Sequence, residues 1–99
     1  MAKKRKKKQR ALDPLSAEVY EVLHKATIED DVLDRKGDAA KLVKDLRLGG
    51  NDMIWIAGRL SDLSEGHGGR AVFPSEVENC DTVGELVDVY RRAASRERA

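Results

Sequence analysis

Apolar side chains recur along this chain at helical rather than alternating intervals. Asp13 can cap a helix and Pro14 suits its first position, where a missing N–H costs nothing. Leu15, Val19, Val22, Leu23 and Ala26 then fall on one face. The stretch 27–37 is acidic and weakly patterned and reads as a loop or a frayed continuation. In 38–48, Ala39, Leu42, Val43 and Leu46 are spaced for inward packing, as a short helix or a turn-rich loop. Gly49-Gly50-Asn51 breaks the segment. A strong helix follows over about 51–63, with Met53, Ile56, Ala57, Leu60 and Leu63 facing inward. Residues 64–69 (SEGHGG) read as a flexible link, Phe73-Pro74 as an ordered turn, and 75–79 as one helical turn. Thr82 and Glu85 have capping-box spacing ahead of Val83, Leu86, Val87 and Tyr90, and the basic end from Arg91 onward is expected to fray.

With no convincing alternating strand, these elements predict an all-α fold, a small three-to-four-helix bundle. At 99 residues the chain makes one domain, and with aromatics at 4% its core must be aliphatic. No apolar run approaches the roughly 18 residues of a membrane span, and the basic start has no apolar stretch of a secretory signal behind it. A single cysteine, Cys80, excludes an internal disulfide and paired-cysteine metal motifs. A cytoplasmic location is the expectation.

The net charge of +1 conceals two unlike parts. Residues 1–10 carry Lys3, Lys4, Arg5, Lys6, Lys7, Lys8 and Arg10 and no acid; residues 11–99 hold twelve basic against eighteen acidic side chains, a net of −6. Dense like charge with nothing to bury predicts a disordered tail on a helical domain spanning 11–99. The tail is either a contact for an anionic partner (nucleic acid, anionic lipid or an acidic protein) or a solvated extension.

The run from Leu42 to Ile56, LVKDLRLGGNDMIWI, resembles the acyl carrier protein segment F-V-x-D-L-G-x-D-S-L-D-x-V-E-L. Phe73-Pro74 is similar to that family's Ile-Pro ahead of its short third helix, and 82–90 to the opening of its last helix. The likeness covers residues 13–93 and implies an acyl carrier protein-like bundle. In that family a serine at the start of the second long helix carries phosphopantetheine. With Asp45-Leu46 on the family's Asp-Leu, Gly50 occupies the serine's position, and a shift of two residues offers only Asp52. Glycine has no hydroxyl to esterify, so the resemblance implies a carrier-like module without cofactor. The alternative is a genuine carrier modified at a misaligned serine, Ser61 or Ser64, neither of which has D-S-L context.

Partner enzymes read the outer face of the corresponding helix in carriers. Here that face maps to Asn51, Ile54, Trp55, Gly58 and Asp62, with Gly50 at its head. Trp55 is then an exposed anchor, or core if the helix is slightly rotated. His24 and His67 have no second ligand at metal spacing, so no metal site is expected. No acid–base or nucleophilic constellation suggests an enzyme, and SEGHGGR lacks the context of a phosphate loop. The sequence therefore supports a protein-binding or regulatory module, with a carrier or a tail-driven nucleic-acid-associated protein as alternatives.

Overall fold

A computed structural model describes residues 13–95. The basic tail of residues 1–10 and the last four residues lie outside the described residues. The chain forms α1 (Pro14–Ala26), α2 (Asp30–Lys36), a 3-10 turn (Gly37–Ala39), α3 (Gly50–Gly66), α4 (Pro74–Glu78) and α5 (Val83–Ser95). The described residues contain no strand, only an isolated antiparallel bridge between Lys41 and Thr82. The fold is all-α. No helix among the described residues is long and apolar enough to cross a membrane.

The start of α1 follows the sequence logic. Asp13 lies in extended backbone and its Oδ1 accepts the Ser16 N–H at 2.9 Å, with Pro14 beginning the helix. Val19, Val22 and Leu23 are buried, while Leu15 and Ala26 pack at the core's edge. Buried Thr27 ends the helix: its hydroxyl donates to the Leu46 carbonyl at 2.7 Å and accepts the Glu29 N–H at 2.9 Å.

The next segment is more ordered than its pattern suggests. Residues 30–36 form α2 rather than a loop, and Leu33 is fully buried. Asp30 and Asp31 in its first turn and Arg35 and Lys36 in its last match the helix dipole. In the stretch that follows, Ala39 and Val43 are exposed, and the inward positions are Ala40, Leu42, Leu46 and Leu48. The parity is set by hydrogen bonds across the fold: the Leu42 N–H reaches the Asp81 carbonyl at 3.0 Å and the Val83 N–H reaches Ala40 at 2.9 Å. The turn 42–46 closes with paired bonds, Arg47 N–H to Val43 O (3.1 Å) and Leu48 N–H to Leu42 O (3.2 Å). Arg47 closes the turn in the left-handed conformation at φ 58°, and Leu42 and Leu48 are both buried.

In α3, Asp52 at the third position accepts the Gly49 N–H at 2.8 Å, and Met53, Ile56, Ala57 and Leu60 form the buried face. The helix runs on to Gly66, past the expected end. Ser64 is fully buried and its hydroxyl donates to the Arg70 carbonyl at 2.6 Å. The glycine segment is correspondingly fixed rather than a loose link. Gly69 lies against the end of α5, where the Arg70 N–H meets the Ala93 carbonyl at 3.0 Å.

Ser61 holds Val72 from both sides, donating to its carbonyl (2.9 Å) and accepting its N–H (2.8 Å), which seats the chain ahead of α4. Glu76 accepts the Phe73 N–H and pairs with Arg70 at 2.9 Å. Thr82 accepts the Glu85 N–H at 3.2 Å, but Glu85 reaches back to Asp81 rather than to Thr82. Val83, Leu86, Val87 and Tyr90 bury as predicted. The helix does not fray at Arg91: Ala93 and Ala94 are buried and Arg91 pairs with Asp13. Helix α1 packs on α3 and α5, α3 also on α4 and α5, and the 3-10 turn on α5.

Candidate functional site

With four side chains of α3 committed inward, its rotation is fixed, and positions 51, 54, 55, 58 and 62 share the opposite face by helical periodicity. Asn51, Ile54, Trp55, Gly58 and Asp62 are all exposed there. Ile54 is 56% and Trp55 42% accessible, so Trp55 is not a core residue. Arg59 lies 3.8 Å from Asp62, a loose exposed pair. Gly50 is the first residue of α3, and a Cβ built there meets nothing within 4 Å. A side chain would fit, yet the position offers no nucleophile. Asp52 is not a substitute: its carboxylate caps the helix. Ser61 and Ser64 both have their hydroxyls engaged within the fold.

Three more apolar side chains are exposed outside the α3 face that the sequence indicates: Ile28, Val43 and Phe73. Spacing predicts Val43 inward, but it is exposed. Phe73 was visible only as a turn marker. Ile28 follows the end of α1, where no periodicity remains to place it.

The polar clusters are mainly fasteners. Tyr90, fully buried, donates to Glu18, which also lies 2.9 Å from His67 Nε2. Burial pushes the Glu18 carboxyl up, but the hydrogen bonds from Tyr90 and His67 outweigh it and hold the pKa below the ordinary value. Burial and then the Glu18 contact push the Tyr90 phenol up. Arg91, with Ser16, holds Asp13 down to about 2. His24 lies between Asp30 (2.9 Å) and Asp34 (3.2 Å). Among the described residues no group of three His, Cys, Asp or Glu side chains is placed to hold a metal ion.

A concavity of about 310 Å³ between α4 and α5 is lined by Glu76, Cys80, Glu85, Asp88 and Arg92. Burial first, then the carboxylates of Glu85 and Glu76, pushes the Cys80 thiol up to about 11. The thiol therefore stays protonated at neutral pH and is a poor nucleophile. Its S–H is 3.2 Å from the Glu76 carbonyl. Comparison with known proteins gives no match to a family model, to a curated protein or to a solved structure.

Proposed function

We propose that this chain is a carrier-like helical module without a prosthetic group, which works in the cytoplasm by binding a protein partner through the outer face of α3. The observation that carries the reading is the exposed Ile54–Trp55 pair on a helix whose other face already supplies Met53, Ile56, Ala57 and Leu60 to the core. Removing the apolar surface of an exposed aromatic from water against a partner is favourable, and tryptophan is enriched among residues that anchor interfaces. The resemblance to acyl carrier proteins supports the same face independently, since partners read the corresponding helix there. The lack of a hydroxyl at Gly50, and the engagement of Ser61 and Ser64 inside the fold, favour a binding role over a group-carrying one.

The reading is tested by affinity capture from the source cell followed by titration of the purified partner. Trp55→Ala and Asp62→Lys should each weaken the complex while leaving the circular dichroism and the melting transition intact. Glu21→Lys, on exposed α1 surface, should leave binding unchanged. Equal affinity for all three variants and the wild type would remove α3 as the interface.

A further inference from the structure

The acidic body contains a concentrated basic site. Ten Lys and Arg lie among residues 13–95, and five of them pair with carboxylates: Lys36, Lys41, Arg59, Arg70 and Arg91. Of the other five, Lys25 and Arg92 lie elsewhere, and Arg35, Lys44 and Arg47 line one concavity of about 400 Å³ between α2 and the 41–48 turn. Lys36 joins them there. Two acids share the lining, Glu29 and Asp45. Asp45 is occupied: it accepts the Lys41 N–H at 2.8 Å and faces Lys36 Nζ at 3.3 Å. Four cations against two anions leave the concavity with an excess of two positive charges.

The backbone adds a second observation. Arg47 closes the 42–46 turn in the left-handed conformation, at φ 58°. Glycine is the usual residue there because a Cβ is strained in that conformation. An arginine at a position that stability alone would give to glycine points to a use for its guanidinium. Guanidinium forks match phosphate oxygens in pairs, whereas single lysines supply point charge.

We propose that this concavity binds a small ligand through a phosphomonoester or pyrophosphate group, with Arg35, Lys44 and Arg47 as its cationic contacts. The site is separate from the α3 face and does not depend on the protein-binding reading.

The test is a titration of the full chain with sodium pyrophosphate at constant ionic strength, followed by amide chemical shifts residue by residue. Residue resolution keeps any response of the basic tail apart from that of the concavity. Saturable shifts confined to residues 32–36 and 43–48 are expected. Lys44→Glu should weaken binding at least about tenfold, the scale of losing a charge-assisted hydrogen bond. Arg47→Gly should lose binding while melting no lower than the wild type, a combination that a purely structural arginine would not give. Arg92→Glu should bind as the wild type does. Shifts that fail to saturate, shifts restricted to residues 3–10, or wild-type affinity in Arg47→Gly would overturn the proposal. A response of the concavity to a short RNA but not to pyrophosphate would also overturn it.

Discussion

Of the glycines, Gly69 leaves the least room for a side chain. A Cβ added there would sit 2.1 Å from the Ala93 carbonyl oxygen, 2.6 Å from Ser64 Oγ and 2.7 Å from Ala94 Cα. Two of these three atoms are backbone of α5, so no side-chain rotation relieves the contact. Restoring ordinary separation requires the 66–70 segment to withdraw from α5 by about 1 Å, on van der Waals contact distances. That movement stretches the Arg70 N–H bond to Ala93 (3.0 Å) and the Ser64 hydroxyl bond to Arg70 (2.6 Å). Leaving a half-buried polar group without a partner costs about 1–3 kcal/mol. Two such bonds, partly relaxed, and the smaller entropy of an unfolded alanine chain give a net loss of about 2–4 kcal/mol for Gly69→Ala. For a domain of this size that is a fall in melting temperature of about 8 °C or more. Thermal melts with urea unfolding of wild type and variant measure it. A variant melting within about 3 °C of the wild type would show that the loop is not pinned against α5.

Gly58→Ala should move stability the other way, because Gly58 is exposed in mid-helix with open space around a new Cβ; a gain of about 0.5–1 kcal/mol is expected from urea unfolding. Leu33→Ala should cost about 2–5 kcal/mol if α2 buries Leu33 as described, and a cost near zero by the same assay would return the segment to a surface loop. Acid titration should show stability flat above the ordinary carboxylate range and falling below it. Asp13 is held down to about 2 from 3.8 by Arg91 and the Ser16 N–H, and Glu18, Asp45 and Glu76 are also lowered. A carboxyl with a depressed folded pKa stabilises fully above its unfolded value, and the contribution is lost as pH falls through the folded one. Arg91→Ala should therefore flatten the profile between pH 3.8 and about 2; an unchanged acid limb, followed by circular dichroism, would count against the Asp13–Arg91 link.

The parts legible in the sequence are those with local causes. Asp13-Pro14 announces α1 by capping chemistry, and Met53, Ile56, Ala57 and Leu60 are enough to orient α3 and so to place Ile54 and Trp55 outside. Helix α2 is hidden because its seven residues, about two turns, hold only Val32 and Leu33, too few for a period; its charge order is the available signal. The parity of Ala39–Leu48 depends on hydrogen bonds to residues 81 and 83, forty positions away, so no local spacing reports it. Residues 64–69 read as loose from composition, yet Ser64 bonds Gly69 and Arg70, and Arg70 in turn bonds Ala93 of α5. The candidate α3 face was named residue by residue from sequence. The basic concavity was not, because Arg35, Lys44 and Arg47 meet only in three dimensions.

In the carrier-like module proposed above, Gly50 stands where the attachment serine would be. Intact mass after co-expression with a promiscuous phosphopantetheinyl transferase tests it most directly, on the wild type and on Gly50→Ser side by side. Open space around residue 50 lets the serine variant keep the fold. The expected result is an unmodified wild type and a variant heavier by one phosphopantetheine arm. An arm on the wild type would place an attachment residue elsewhere, and a folded Gly50→Ser protein that stays unmodified would contradict the carrier likeness itself.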